Sequence, residues 1–313
     1  MPKTKILICS SEVGAGKRGA SLGPDAIRIS AVNLFYNIFD KLPSEEIKTK
    51  KINKFSPEHK SAKYIKLISQ THQKICRKMA ETMLEGYNTL ILSGDHSNSA
   101  GFIAGMREAY PDKKIGLIWI DAHGDIHSPY TSPSGNMHGM PVAIMLGYDN
   151  MENQIKKLRP EVIKNWEKVK RTGKQKITPK LSPEDICYIA IRDLEKQEWE
   201  TIDKLNIQAY PPKTIREKSL NAIIKEIISY YSEYDAVYVS FDVDSLDTSI
   251  SVGTGTPVAD GLSQDDAEKI ISALTKMPNF RALEITEVNP LLDTENKMAT
   301  TVVKILRNSF AVE

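Results

Sequence analysis

The segment IGLIWIDAHGD, residues 115–125, joins a run of apolar residues to a dense group of acids and a histidine. The part from Gly116 to Ile120 shows no alternation of polar and apolar residues, which is typical of a strand buried on both faces of a sheet. Five other short segments are similarly apolar: Ile6 to Cys9, Thr89 to Leu92, Ile186 to Ile191, Ala236 to Phe241 and Ala282 to Ile285. The sequence therefore predicts a central sheet of largely apolar strands.

Longer segments between these strands have the spacing of amphipathic helices. They are Ile65 to Glu85, with Gly86 as a C-terminal cap, Asn221 to Tyr231, and Gln264 to Lys276. Strands that alternate with helices indicate right-handed crossovers and a mostly parallel sheet. A chain of 313 residues with 41% hydrophobic composition can bury a large core. We expect an α/β fold with a mostly parallel central sheet, helices on both faces, and a single domain over residues 1–313.

Composition narrows the class of partner. The 42 Lys and Arg residues nearly cancel the 40 Asp and Glu residues, so no long-range field favours nucleic acid. The longest apolar run, Ile115 to Ile120, is far shorter than the roughly 20 residues that cross a bilayer. The N-terminal apolar stretch is too short for a signal peptide. We expect no nucleic-acid partner, no membrane association, a cytoplasmic location, and buried free thiols at Cys9, Cys76 and Cys187.

One segment departs from the charge balance. Residues 151–183 contain ten Lys and Arg residues against Glu152, Glu161 and Glu167, with Trp166 as the single aromatic residue. A lone aromatic side chain is not the stacking surface that single-stranded nucleic acid requires. The segment is typical of a solvated helix face.

Polar groups collect where the predicted strands end. Four strands are followed by acids or histidines: Ser93-Gly94-Asp95-His96, Asp121-Ala122-His123-Gly124-Asp125, Asp242-Val243-Asp244, and Glu287. Taken singly, an Asp after a strand is often the N-cap of the next helix, and a lone His is often a satisfied polar residue. Because the carboxyl ends of parallel strands meet at one edge of the sheet, these groups are expected to converge on one crevice.

Several carboxylates in one crevice repel each other and raise each other's pKa unless cations neutralise them. If strand geometry continues past the strands, Asp121, His123 and Asp125 share one side, as do Asp242 and Asp244. With His96, the set contains four carboxylates and two imidazoles, which suits two ions sharing a bridging carboxylate. Carboxylate-rich ligation without cysteine favours Mn²⁺ over structural zinc, although affinity alone leaves Zn²⁺, Co²⁺ and Ni²⁺ open.

At these residues the sequence closely resembles the ureohydrolase superfamily, which includes arginases, agmatinases and formimidoylglutamases. The matching motifs are SGDHS at residues 93–97, DAHGDIHSPYTSPSGNMHG at 121–139, SFDVDSLD at 240–247, GTGTPV at 253–258 and EVNP at 287–290, and GAGKRGASLGPDAIR at 14–28 resembles the family's glycine-rich opening. The motifs extend over most of the chain in the family's order. The resemblance implies the family's three-layer α/β fold and a metal-dependent amidinohydrolase.

The resemblance also implies two Mn²⁺ ions per subunit. One ion would be bound by His96, Asp121, Asp125 and Asp242, and the other by His123, Asp121, Asp242 and Asp244, so that Asp121 and Asp242 bridge the pair. A hydroxide held between the ions would attack the guanidinium carbon. The family further implies a homo-oligomer, either a trimer or a hexamer.

Three residues resemble the family's catalytic groups. Glu287 matches the glutamate that pairs with the guanidinium and orients it. His138 matches the histidine that delivers a proton to the leaving amine, a role suited to the pKa of imidazole. Asp125 is expected to accept a hydrogen bond from the hydroxide in addition to binding metal.

The motifs SGNMHG and EVNP are similar to those of arginases rather than agmatinases. This resemblance predicts the hydrolysis of L-arginine to L-ornithine and urea. The expected substrate-binding residues are Ser134 and Asn136 for the α-carboxylate, Glu195 and Glu198 for the α-ammonium group, and His127 and Thr256. Two of these depart from the arginase pattern, because His127 stands where arginases usually have Asn and Glu195 where they commonly have Asp.

Three other functions share part of this pattern of residues. Another ureohydrolase activity, on agmatine, formimidoylglutamate or a guanidino acid, uses the same metal chemistry. A non-catalytic binding protein would have no physical reason to keep such mutually repelling groups together. A metal-dependent phosphoesterase would need Arg or Lys near the metals to hold phosphate, and the motifs at the strand ends contain neither.

Overall fold

Eight strands form one sheet at the centre of the computed structural model, which describes residues 3–52 and 56–310. The strands are β1 Thr4–Cys9, β2 Ser44–Glu46, β3 Asn88–Ser93, β4 Ile115–Ile120, β5 Ile186–Ile189, β6 Gln208–Tyr210, β7 Ala236–Asp242 and β8 Phe280–Thr286. Their order across the sheet is β2-β1-β3-β8-β7-β4-β5-β6, and every neighbouring pair is parallel. All strand C-termini therefore lie at one edge.

Eleven α-helices accompany the strands in the described part of the chain. They are α1 Gly23–Asn33, α2 Ile38–Lys41, α3 Ile65–Leu84, α4 Ser99–Ala109, α5 Pro141–Leu146, α6 Pro160–Lys170, α7 Lys196–Lys204, α8 Pro212–Lys218, α9 Leu220–Tyr231, α10 Gln264–Leu274 and α11 Lys297–Ser309.

Successive strand residues pack on opposite sides of the sheet. In β4, Ile118 and Ile120 join a core with residues of α1, α9, α10 and α11, whereas Leu117 and Trp119 join a second core with residues of α3, α4, α5 and α6. Because both faces are covered, the strands need no polar positions. The prediction of an α/β fold with helices on both faces is confirmed.

The predicted elements are present, with shifted ends. The segment that the sequence predicts as a strand to Ile191 ends at Ile189, because the backbone leaves the extended region at Ala190, where φ is 73°. The helices predicted from Ile65, Asn221 and Gln264 are α3, α9 and α10. The sequence gives no signal for β2 and β6, the three-residue strands at the two edges of the sheet, which read Ser-Glu-Glu and Gln-Ala-Tyr and are exposed or partly exposed except at Tyr210.

The basic segment at residues 151–183 is only partly a solvated helix face, so that prediction needs correction. Helix α6 buries Val162, Trp166 and Val169. Lys170 is also buried, and its ammonium group pairs with Asp149 Oδ1 at 2.7 Å. Lys180 is buried as well, and donates to the carbonyl oxygens of Lys170 and Ile177. Two of the basic residues of this segment, Lys170 and Lys180, are therefore part of the folded interior rather than of its solvated surface.

The three cysteines are free and buried, as predicted. Among residues 3–52 and 56–310, no helix combines the length and the apolar character that a bilayer span requires.

The centre of the sheet should dominate stability. Ile118 in β4 is fully buried, so Ile118→Ala should lower the free energy of unfolding by about 2–5 kcal/mol through lost packing and the cavity left behind. Ile29 in α1 is 57% exposed, so Ile29→Ala is a matched control that should change stability by less than about 0.5 kcal/mol. Chemical denaturation of both variants measures the difference, and equal values would contradict the packing described here.

Candidate metal centre

The metal-ligating candidates and the catalytic candidate Glu287 lie at the C-terminal ends of four neighbouring strands. His96 follows β3, Glu287 follows β8, Asp242 ends β7 and Asp121 follows β4, and these strands are adjacent in the order β3-β8-β7-β4. The crossovers thus bring residues that are far apart in sequence to one crevice at the edge where ligands bind in such sheets.

The first group of candidate ligands surrounds the Nδ1 atom of His96. This atom lies 2.9 Å from Asp121 Oδ2, 3.1 Å from Asp125 Oδ2 and 3.2 Å from Asp242 Oδ2, yet it is buried and makes no hydrogen bond of good geometry. The other ring nitrogen, Nε2, contacts Ser240 Oγ at 2.7 Å. A ring whose outer nitrogen is held in this way directs the free nitrogen toward a metal.

The ring of His96 is also fixed by stacking. It lies on the indole of Trp119 with ring centroids 3.9 Å apart and planes 9° from parallel. The indole Nε1 donates to Asp121 Oδ2 at 2.9 Å. One tryptophan therefore positions two candidate ligands.

The second group consists of Asp121, His123 and Asp244. His123 Nδ1 lies 3.5 Å from Asp121 Oδ1 and 3.1 Å from Asp244 Oδ2. Asp121 directs Oδ2 to the first group and Oδ1 to the second, which is the arrangement of a bridging carboxylate. Asp242 lies with the first group through Oδ2, while its Oδ1 accepts the Asp244 N–H at 2.8 Å. Its role as a second bridge stays a prediction.

The geometry that groups these residues differs from the expected continuation of the strands. Asp125 has a positive φ of 49°, and Asp244 lies in a turn of 3₁₀ helix immediately after β7. The N–H of His123 donates to Asp121 Oδ1 at 2.7 Å, so the first aspartate closes the turn that brings the next ligand to it. Tight turns, rather than extended backbone, bring the ligands together.

The electrostatics of the crevice favour a bound cation. Burial, followed by the charges of Asp244 and Asp121, raises the pKa of Asp242 well above its usual value. Burial and the charge of Asp121 likewise raise the pKa of Asp125 to about 6. Burial would lower the pKa of His123, but Asp244 and Asp121 raise it well above normal. The carboxylates of the crevice repel each other when ionised, and the Nδ1 atom of His96 has no hydrogen bond. Such a set of donor atoms fits divalent metal ions.

His138 and Glu287 form a pair beside the metal ligands. His138 Nδ1 lies 3.1 Å from Glu287 Oε1, which also accepts the backbone N–H of His96 at 3.0 Å. Burial would lower the pKa of His138, but the hydrogen bond to Glu287 raises it to about 9. The same bond lowers the pKa of Glu287 against the opposite effect of burial. The hydrogen bond therefore favours an imidazolium on His138 paired with a carboxylate on Glu287.

A cavity opens above the ligands and collects the remaining predicted residues. Those that line it are His123, Asp125, His127, Ser134, Asn136, His138, Glu195, Glu198, Asp242, Asp244 and Thr256. Glu287 lines an adjoining cavity that shares His123, Asn136, His138 and Thr256 with the first. His96 and Asp121 are buried beneath the surface of the crevice.

The side chains of His127 and Glu195 form a hydrogen bond with each other. His127 Nε2 lies 2.7 Å from Glu195 Oε2, and His127 Nδ1 contacts Thr131 Oγ1 at 3.0 Å. The hydrogen bond with His127 is the main reason that the pKa of Glu195 is lowered to about 2. Glu198 accepts the Glu195 N–H at 3.1 Å and closes the N-terminal capping box of α7. On the other wall, Thr256 Oγ1 donates to Asp244 Oδ2 at 3.1 Å.

Comparison with known proteins shows the family of the chain. A model of the Arginase family matches residues 5–311 of the chain. The chain belongs to the arginase family.

Relatives in this family match along nearly their whole length. An arginase from Bacillus caldovelox is 30% identical over 317 aligned positions that cover 99% of this chain and 98% of the relative, and one from Brevibacillus brevis is 32% identical, covering 96% and 94%. The solved structure of the Bacillus caldovelox enzyme superimposes with a TM-score of 0.86 at 29% identity, covering 100% of this chain and 99% of that one.

Entamoeba histolytica arginase, solved in complex with L-ornithine, gives a TM-score of 0.84 at 25% identity, with 99% of each chain covered. The protein is thus a metal-dependent amidinohydrolase of arginase-like fold. A formimidoylglutamase from Bacillus subtilis shares the fold at 20% identity, with a TM-score of 0.74 over 98% of this chain and 86% of that one.

Several residues that support the candidate site are not among those that the sequence predicts. Trp119 and Ser240 belong to predicted strands, and Ser240 also opens the SFDVDSLD motif, but the sequence predicts no supporting role for either. Each lies two positions before a candidate ligand and contacts His96. Asp95, fully buried, accepts the N–H groups of Gly14 and Ser97 at 2.8 Å each. Its place in SGDHS was the available signal. The sequence around Lys63 does not indicate that this residue contacts Asn136, which it does in the structure.

Proposed function

We propose that this enzyme hydrolyses the guanidinium group of L-arginine to L-ornithine and urea at two Mn²⁺ ions. The observation that carries the proposal is the pair of ligand groups that share Asp121 beneath a cavity lined by Ser134 and Asn136. Carboxylates and imidazoles without cysteine suit Mn²⁺. Assembly into a homo-oligomer and a cytoplasmic location stay predictions.

The residues that would hold the ions are the two groups already described. His96, Asp121, Asp125 and Asp242 would hold one ion, and Asp121, His123, Asp244 and Asp242 the other. When bound, such a pair lowers the pKa of water and supplies hydroxide at neutral pH.

The chain's own groups then manage the substrate and its protons. Glu287 Oε1 is held by His138 and by the His96 N–H, which leaves Oε2 near Gly255 for the guanidinium. A carboxylate at that position holds the planar guanidinium group of the substrate in one orientation. The Nδ1–H group of His138 donates a hydrogen bond to Glu287, so the proton on Nε2 is the one available to the leaving amine.

The α-carboxylate end supplies a direct test of the substrate. L-Arginine and agmatine differ only by the carboxylate, for which Ser134 and Asn136 provide donors at the cavity wall. Agmatine should show a kcat/KM lower by about 10²-fold, since donors lacking their partner are left unpaired, although exposed Ser134 can recover water. Urea release from metal-stripped protein reloaded with Mn²⁺ measures both. Equal or better turnover of agmatine would overturn the arginine assignment and leave the metal chemistry intact.

A second candidate substrate is a guanidino acid without an α-amino group. It is favoured by the 2.7 Å contact between His127 and Glu195, because that contact already occupies the carboxylate expected to bind the α-ammonium group. The same urea assay with 4-guanidinobutyrate and 5-guanidinopentanoate, together with an assay of formamide release from formimidoylglutamate, distinguishes this candidate. Higher kcat/KM for 5-guanidinopentanoate than for L-arginine would select it.

A further inference from the structure

The loop at residues 132–136, which carries Ser134 and Asn136, packs against the chain just before α3. The backbone N–H of Lys63 donates to the Gly135 carbonyl at 2.9 Å. Gly135 has a φ of 69°, and a Cβ there would come within 1.9 Å of the Lys60 carbonyl oxygen. The two segments are therefore in close backbone contact, with no room for a side chain between them.

The side chain of Lys63 continues this contact toward the cavity. Its ammonium nitrogen donates to Asn136 Oδ1 at 2.8 Å. Because an ammonium group has donors only, the Asn136 amide must turn its oxygen to Lys63 and its NH₂ group away from it. That NH₂ group faces Gly16, where a Cβ would lie 2.7 Å from Asn136 Nδ2 and 4.0 Å from His138 Nε2. The amide donors are thus presented at the mouth of the site.

A second lysine reaches the same loop. Lys156 donates from its ammonium group to the Ser132 carbonyl oxygen. Burial, and next the charge of Lys63, lowers the pKa of Lys156. The residues that the two ammonium groups contact, Ser132 and Asn136, both line the cavity. Within residues 3–52 and 56–310, the ammonium contacts of Lys63 and Lys156 are with the uncharged oxygens of Asn136 and Ser132 rather than with a carboxylate. Two cations therefore lie beside this wall of the cavity.

The remaining wall of the cavity carries acidic side chains. Glu195 and Glu198 line it, and Asp193 lines the adjoining mouth. Ammonium groups behind one wall of the cavity and carboxyl groups on another complement a ligand that carries both charges.

We propose that Lys63 is a specificity-determining residue, which orients the Asn136 amide and, together with Lys156, provides the positive edge that selects substrates bearing a carboxylate. The inference deepens the proposed function, on which it rests for the reaction itself. Lys63 acts as a positioning residue, since its contact is with Asn136. Loss of Lys63 should weaken the binding only of ligands that bear a carboxylate.

Binding of L-ornithine and putrescine to the Mn²⁺-loaded enzyme isolates this effect, because the two ligands differ only by a carboxylate and neither has a guanidinium. Lys63→Met should raise the Kd of L-ornithine about 10-fold in calorimetry and leave that of putrescine unchanged. Lys66→Met is the matched control. Lys66 lies in the same region but pairs with Glu58 at 3.0 Å and Glu161 at 2.5 Å, so its removal should leave both ligands unaffected.

The role of Asn136 is resolved by a double-mutant cycle. If Lys63 acts through Asn136, Lys63→Met should cost less in an Asn136→Ala background than in the wild type. Additive costs would contradict the positioning role. An equal loss of L-ornithine and putrescine affinity in Lys63→Met would overturn the proposal, because it indicates a general structural defect.

Kinetics supply an independent readout. Lys63→Met should raise KM for L-arginine with little change in kcat, and the kcat/KM ratio of L-arginine to agmatine should fall about 10-fold. An unchanged ratio would contradict the inference. If no guanidino compound is hydrolysed by the wild type, the proposed function fails, while the ornithine and putrescine measurements still decide the role of Lys63.

Discussion

Asp121→Asn should reduce urea release by about 10³-fold or more and lower the bound Mn²⁺ below two ions per chain. Asp121 is the carboxylate whose two oxygens reach both ligand groups, with His96 on one side and His123 on the other. Removing its charge weakens both ion sites at once, and metal-ion contributions to such reactions are worth several kcal/mol. Steady-state assays and elemental analysis of desalted protein measure the two effects.

Neutral asparagine cannot reproduce the contacts of Asp121. Trp119 Nε1 donates to Oδ2 and the His123 N–H donates to Oδ1, so one of these donors would face the NH₂ group of the amide. The turn that carries His123 would then lose its closing hydrogen bond, which adds to the loss of metal. Circular dichroism of the variant separates this local effect from unfolding.

Asp260→Asn is the matched control for this substitution. Asp260 is exposed, has a φ of 66° that asparagine tolerates, and pairs with Arg216 at 3.0 Å outside the cavity. It should keep wild-type activity and metal content. Wild-type turnover in Asp121→Asn, or full activity of metal-stripped enzyme, would contradict the dinuclear proposal.

The strands were predictable because burial on both faces leaves a signal in the sequence. Each residue of β4 is buried, so its apolar run is uninterrupted, and the same holds for most of β7 and β8. Edge strands β2 and β6 carry no such signal, since a three-residue strand with one exposed face can be polar. Their pairing depends on the neighbouring strands β1 and β5.

The identity of the ligand candidates was predictable, whereas their arrangement was not. Periodicity suggested that alternate residues after a strand share one side. The structure instead uses a positive φ at Asp125 and a turn closed by Asp242 Oδ1, which local sequence does not specify uniquely. Contacts such as Lys63 with Asn136 join segments 73 residues apart, and only the folded chain brings them together.

The bond between His127 and Glu195 likewise emerged only in the structure. From the sequence, each was a separate departure from the arginase pattern. In the fold they are partners, and the longer Glu side chain reaches the His ring at 2.7 Å while its backbone caps α7. The two departures therefore form one altered feature of the cavity, which is why the substrate panel includes guanidino acids without an α-amino group.

His138→Asn should slow turnover by about 10²–10⁴-fold, as expected for loss of a general acid, and should retain both metal ions. His138 lies in neither ligand group; its Nδ1 contacts Glu287 Oε1 at 3.1 Å, and asparagine can still donate to that oxygen. Loss of Mn²⁺ in elemental analysis would make His138 a ligand instead, and unchanged turnover would exclude it from proton delivery.

Chemical rescue tests that assignment at the level of the proton. In His138→Ala, deletion of the ring leaves space at the cavity wall and removes the only part of the side chain that can carry a proton. Added imidazole should restore part of the lost activity, with a dependence on the concentration of its protonated form, since the missing step is delivery of a proton to the leaving amine. The same imidazole should not rescue Asp121→Asn, in which the defect is metal binding. Rescue of both variants would show that imidazole acts elsewhere, and rescue of neither would place the role of His138 in holding Glu287.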